Sequence, residues 1–201
     1  MGRASGTEGY GDSADVLVKH YEGVTFAEVH RETLALMPSP PCRVLDVGAG
    51  TGRDAAALAA LGHSVVAVEP TPELRAHGQR LHGDAAITWI DDALPDLAEV
   101  HARGARYDLV LLSAVWMHLD ADERERAMAG IAGLLRPDAL VTLSLRHGPI
   151  PAGRRMFDVS AAETSALAAR HALATVHDSE RPALLAGSAV WWSVLALRAP
   201  A

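Results

Sequence analysis

Residues 44–52 read Val-Leu-Asp-Val-Gly-Ala-Gly-Thr-Gly, an apolar run that ends in a carboxylate and a glycine-rich turn. Glycine lets a backbone turn sharply and come close to a ligand, and a helix opening after such a turn presents unpaired N–H groups. Glycines at 48, 50 and 52 follow a G-x-G-x-G pattern, whereas a dinucleotide fingerprint needs glycine at 53, where Arg53 stands. Twenty-three residues beyond Asp46, a second apolar run closes on Glu69-Pro70. A carboxylate there sits across the crevice from the glycine turn and is placed to accept both hydroxyls of a ribose. Hydrogen bonds to a charged group contribute about 1.5–3 kcal/mol each. A third run leads into Asp91-Asp92-Ala93, where a carboxylate can accept from an adenine amine.

These residues need a scaffold, and the pattern around them supplies one. From residue 43 onward short apolar runs alternate with capped helical stretches, as in a parallel sheet covered on both faces. Strands are predicted at 43–47, 64–69, 87–90, 107–112, 139–145, 172–176 and 190–197. Helices are predicted from 52 to 61, ended by Gly62; from Thr71-Pro72-Glu73; from Asp120 with Glu123 three later; and from the capping box Ser160–Glu163 to about His171. Two helices precede any strand. Ala14, Leu17, Val18 and Tyr21 recur at helical spacing. The capping box Thr25–Glu28 then opens a helix with Phe26, Val29, His30, Thr33, Leu34 and Met37 on one face, stopped by Pro38. Residues 1–13 carry four glycines and no periodicity, so they are expected to be a mobile tail.

Composition bounds the function. A chain of 201 residues has room for one domain with a terminal extension, and 49% hydrophobic with 21% charged residues is ordinary globular protein. The net charge of −7, with no Lys/Arg cluster longer than Arg154-Arg155, argues against a nucleic-acid partner. The uncharged run 183–197 is too short to span a membrane, the start has no apolar leader, and the single Cys42 fits a reducing compartment. A cytoplasmic protein with no membrane partner, monomeric or homodimeric, is expected. No H-x-x-x-H pair occurs among ten histidines, so no metal is expected.

With these motifs in order, the sequence resembles class I S-adenosylmethionine-dependent methyltransferases. The resemblance covers about residues 40–198 and rests on Asp46-Val-Gly-Ala-Gly-Thr-Gly52, Glu69, Asp92-Ala93, Tyr107–Leu112 and Leu134-Leu-Arg-Pro137. It implies a single Rossmann-like, doubly wound seven-stranded α/β sheet, mostly parallel with an antiparallel last strand. Residues 14–38 would form a helical lid and residues 39–201 the cofactor-binding domain. The cofactor implied is S-adenosyl-L-methionine, with S-adenosyl-L-homocysteine as product. Asp46, Gly48, Ala49, Gly50 and Gly52 would hold its methionyl end, Glu69 the ribose, and Asp92 with Ala93 the adenine. Asp92 is preferred to Asp91 because alternation after Ile90 turns one of the two away and Asp-Ala matches the family pattern. Ser113 and Ala114 would line the methionyl side. Asp138 departs from the glycine pair that many members carry before the fifth strand.

The substrate side is less marked. The loops after the fourth and fifth strands carry His118, where an imidazole suits a general base at neutral pH but is equally at home as a structural residue, and His147, a candidate for base or substrate contact. Tyr21 is placed to reach over the cofactor. Arg146, His147 and Arg154 border a Gly/Pro loop where they would contact substrate. Trp191 and Trp192 point to opposite faces of the last strand, one of them core. The expected activity is metal-independent methyl transfer to an O or N atom of a small molecule. The alternative is a cofactor-binding protein of the same fold without catalysis; a nicotinamide oxidoreductase is disfavoured by Arg53.

Overall fold

The structure, a computed structural model, describes residues 6–184 and 189–201. Seven strands form one sheet: β1 (Arg43–Val47), β2 (Ser64–Val68), β3 (Ile87–Ile90), β4 (Tyr107–Leu112), β5 (Leu135–His147), β6 (Ala174–Pro182) and β7 (Trp191–Arg198). Their spatial order is β3-β2-β1-β4-β5-β7-β6, and β7 alone runs antiparallel to its neighbours. This is the Rossmann-like α/β fold implied by the sequence. The order reverses between β1 and β4, and the crevice beyond their carboxyl ends is where open α/β sheets bind ligands.

Alternate residues of each central strand feed two different cores, which is why these strands read as unbroken apolar runs. Val110 and Leu112 of β4 pack with Trp116, Val100 of α5 (Ala98–Ala102), Met128 and Ile131 of α6 (Ala121–Gly133) and Leu167 of α7 (Ala161–Arg170). Leu109 and Leu111 face the other way, onto Ala55 and Leu58 of α3 (Arg53–Ala60) and Phe26 of α2 (Phe26–Val29). On the sheet's β2–β3 side, α4 (Pro72–Leu81) carries the expected proline in its first turn.

The ends of the chain differ from expectation. The predicted helix 26–37 is only a turn long, followed by a 3-10 turn at Leu34–Leu36. The Thr25–Glu28 capping box starts it as expected, but His30 sits at its C-cap with its imidazole bonded to Asp54 and its carbonyl accepting from Thr33 Oγ1. Those contacts take His30 out of the helical stripe. Of the expected mobile tail, residues 1–5 lie outside the described residues. Residues 6–13 make a turn and a 3-10 turn packed on the body, with Gly6 against His118. They lead into α1 (Ala14–Glu22). The helix α5 was not expected, and β5 and β6 run longer than the apolar periodicity marks. Asp138 adopts a left-handed φ of 58°, a conformation Asp tolerates better than most side chains, which explains how it replaces a glycine beside the irregular register of β4 and β5.

Leu111 is fully buried in the central strand. Leu111→Ala is expected to lower unfolding free energy by about 2–5 kcal/mol in urea titrations monitored by circular dichroism.

Candidate active site

A cavity of about 420 Å³ opens at the β1/β4 reversal. Its floor is the turn after β1. Gly48 and Ala49 donate their N–H groups to the carbonyl of Val68 at 2.8 and 2.9 Å, tying the turn to the end of β2. Gly48 has φ 71°, and a Cβ there would lie 2.4 Å from Val115 Cγ2, so no other residue fits.

Glu69, 4% exposed, joins this turn to the next helix. One carboxylate oxygen accepts from Gly50 N–H at 2.8 Å, the other from Thr71 N–H at 2.7 Å, and both residues line the cavity. Burial pushes its pKa up while the Thr71 and Gly50 hydrogen bonds pull it back down. The Thr71 side chain also hydrogen-bonds to the carboxylate, which still lines the cavity.

Beneath the turn, two acidic groups meet very different fates. Burial tends to raise the pKa of Asp54, but the His30 hydrogen bond at 2.8 Å and Arg53 at 2.7 Å outweigh it and hold this carboxyl far below its ordinary range. Ser113 Oγ also donates to Asp54, at 3.2 Å. Asp46 is 2% exposed and its Oδ2 has no hydrogen-bond partner. Burial first, and then the charge of Asp54, push its pKa well above 3.8.

At the third strand end the two aspartates diverge. Asp92 lines the cavity and accepts from the N–H groups of Ala93 and Val100 at 2.8 and 3.0 Å. Asp91 turns away to Arg75 at 2.8 Å. The fold thus brings Asp46, Gly48, Ala49, Gly50, Glu69, Asp92, Ala93, Ser113 and Ala114 to one cavity; Gly52 shapes the turn behind it, with φ 82°. Ala114 holds a left-handed φ of 58° while its N–H donates to Ser144 Oγ, a strained joint at the crevice.

Tyr21 and His118 also line the cavity, whereas His147 and Arg146 do not. His147 is buried elsewhere, bonded to Ser193 Oγ at 2.9 Å and stacked on Trp191 at 3.8 Å. It lies on β5, which extends past the predicted strand end and pairs with β7, so sheet packing claims its ring. Arg146 donates to the carbonyl of Pro149. Arg154 stays behind the wall, its guanidinium 3.6 Å from the Tyr10 ring centre. Trp192 lines the cavity while Trp191 is its exposed neighbour. Burial and then Tyr10 raise the pKa of Tyr21, so its phenol stays protonated.

Sequence reasoning missed Tyr10, His30, Asp54 and Arg181, the last a buried arginine that lines the cavity and donates to the carbonyl of Val29 at 3.3 Å. Tyr10 lies in a glycine-rich stretch without periodicity, and His30 and Asp54 come together across 24 positions. The one available signal was Asp54 in the first turn of the helix after the glycine loop. Among the described residues no three His, Cys, Asp or Glu side chains are grouped to hold a metal, and no helix is long and apolar enough to cross a membrane.

Residues 44–138 match the family model described as a methyltransferase domain. An uncharacterized methyltransferase of Mycobacterium tuberculosis is 34% identical over 102 residues, 51% of this chain and 39% of that protein. The ubiquinone biosynthesis O-methyltransferase of Azorhizobium caulinodans is 31% identical over 105 residues, 52% of this chain and 38% of its own length. The matches therefore span about two fifths of these curated relatives. Among solved structures, a Burkholderia thailandensis 1,6-didemethyltoxoflavin-N1-methyltransferase, holding that compound and S-adenosylhomocysteine, aligns with TM-score 0.67 at 23% identity over 95% of this chain and 88% of its own. A TehB-like SAM-dependent methyltransferase of Corynebacterium glutamicum aligns with TM-score 0.70 at 20% identity, over 92% and 97%. Fold and domain together define an α/β protein of the methyltransferase type. Residues 44–138 thus carry a methyltransferase domain, on the Rossmann-like fold that class I methyltransferases share.

Asp46 supplies a test of the site's electrostatics. Its folded pKa is raised, so this carboxyl costs stability as soon as the pH passes the ordinary aspartate value, and the cost grows until the folded pKa is reached. Asp46→Asn is expected to raise the melting temperature of the free protein at pH 7 and to narrow its advantage over wild type as the pH falls toward 4, both followed by scanning calorimetry. A lower melting temperature at pH 7 would contradict this.

Proposed function

We propose that the protein is a metal-independent S-adenosylmethionine-dependent methyltransferase acting on an O or N atom of a small molecule. The observation that carries this reading is Glu69, a buried carboxylate that bridges the glycine turn and the start of α4 and still faces the cavity. The groups present suit the cofactor. Glu69 would accept the ribose hydroxyls, Asp92 the adenine amine, and Asp46, whose Oδ2 is buried without a partner, the methionyl ammonium. Leu74 and Leu94 add apolar lining to the same cavity.

When bound, S-adenosylmethionine supplies an electrophilic methyl group on a sulfonium, and that S–C bond breaks as the acceptor takes the methyl. The chain's own contribution is positioning and exclusion of water, because such a displacement needs an aligned nucleophile and no metal. Residues 14–38 serve as the lid. Arg53 donates to the carbonyl of Tyr21 at 3.2 Å, Thr51 Oγ1 donates to Glu22, and the Tyr21 ring rests 3.4 Å from where a Gly50 side chain would begin. Val24, Val29, Val190 and Trp192 line the cavity together with the buried Arg181, a surface scaled to a small, largely apolar acceptor with one cationic neighbour. Free Cys42 and the acidic balance fit a cytoplasmic setting.

Isothermal titration with S-adenosylhomocysteine tests this reading. Wild type is expected to bind, and Glu69→Ala to bind more weakly by about 1.5–3 kcal/mol, the worth of hydrogen bonds to a charged group. Equal binding by the variant would remove the ribose role.

A further inference from the structure

His118 is 6% exposed and both ring nitrogens are engaged. Nδ1 lies 2.7 Å from the carbonyl oxygen of Arg155, which can only accept, so Nδ1 carries the proton. Nε2 is therefore the basic lone pair, and the group on it, at 2.9 Å, is the hydroxyl of Tyr10. Tyr10 donates to His118, and both residues line the cavity. A proton released into that part of the cavity reaches Nε2 through the phenol.

The surroundings hold this pair rigidly. Arg155 donates from Nη1 to the carbonyl of His118 at 2.7 Å and is itself fixed by Asp120 at 2.8 Å and Glu123 at 2.7 Å. The imidazole is thus clamped between its own backbone and the Arg155 backbone. Arg154 covers the Tyr10 ring and donates to the carbonyl of Glu8 at 3.1 Å, securing the segment that carries the phenol. The charged and titratable groups acting on the two rings are Arg154, Arg155, Arg146, Glu8, Glu69 and Tyr21.

We propose that Tyr10 and His118 form a proton-accepting pair for a hydroxyl-bearing, largely apolar methyl acceptor. This inference rests on the cofactor reading above and narrows its substrate class. A hydroxyl must shed its proton as its oxygen attacks, whereas a neutral amine can keep its proton until afterwards, so a built-in base matters most for oxygen. In the step, the acceptor O–H bond breaks and its proton bonds to Tyr10 Oη. The proton that Tyr10 held moves to His118 Nε2, and the freed electron pair on the acceptor oxygen forms the new bond to carbon. His118 ends as an imidazolium, matching the positive charge lost at sulfur, and later gives its proton to water; Tyr10, which has taken the acceptor's proton in exchange for its own, ends as a neutral phenol. Tyr10 and His118 thus act as a relay, and Tyr21, held protonated, is a donor beside it.

The test uses the full chain saturated with S-adenosylhomocysteine and 4-nitrophenol, a chromophoric phenol, as the acceptor probe. Calorimetry reads nucleoside binding, absorbance reads ionisation of the bound phenol, and nitrogen NMR reads the His118 ring. The expected result is that the probe binds wild type as its phenolate below its solution pKa while His118 becomes doubly protonated. Tyr10→Phe, which keeps the ring and its packing, should retain nucleoside binding but lower the ionised fraction by about tenfold, one pKa unit; His118→Gln should do the same. A probe that does not bind, binds un-ionised, or ionises equally in Tyr10→Phe would overturn the pair. Failure of wild type to bind the nucleoside would instead bring down the cofactor reading on which the pair depends.

Discussion

One carboxylate organises the crevice. Glu69 stands at the end of β2 with its two oxygens pinned by N–H groups from two different loops, Gly50 on the turn after β1 and Thr71 at the head of α4. A buried carboxylate without partners would be costly, and it is the two backbone donors that make this one tolerable. The constraint works in both directions. The donors hold the carboxylate facing the cavity, and the carboxylate fixes the relative position of the two loops between which a nucleoside has to fit. Parallel pairing of β1 with β2 brings these loops together, Val47 lying opposite Val68.

A second layer of buried polar contacts ties the N-terminal segment to the same place. His30 reaches Asp54, Arg53 reaches the carbonyl of Tyr21, and Tyr10 reaches His118. None of these is a surface ion pair of small worth; each is at least partly buried and links the segment ahead of the sheet to the crevice. The N-terminal segment is therefore part of the site's electrostatics, because it supplies the His30 imidazole that helps hold Asp54 ionised near Asp46.

Much of this was legible in the sequence, for a physical reason. Strands buried on both faces are written as apolar runs, and a turn that needs left-handed backbone is written in glycine, so β1, its turn and Glu69 stand out without any knowledge of the fold. Asp92 and Asp91 were separable by alternation. The acceptor side was not legible in the same way. His147 and His118 read alike, as histidines on loops after neighbouring strands, and only the extension of β5 against β7 consigns His147 to a stack on Trp191. Tyr10 carries no local signal, because it comes to the cavity through a contact spanning 108 positions. The α2 helix was overestimated because the stripe containing His30 and Thr33 matches helical spacing, while the competing attraction of Asp54 lies far along the chain.

The most direct measurement is a crystal structure of the protein with S-adenosylhomocysteine. Both ribose hydroxyls are expected within hydrogen-bonding distance of the Glu69 carboxylate, about 2.5–3.0 Å, with the adenine amine toward Asp92. A nucleoside bound elsewhere, with Glu69 still engaged only by Gly50 and Thr71, would contradict the assignment of this crevice as the cofactor site.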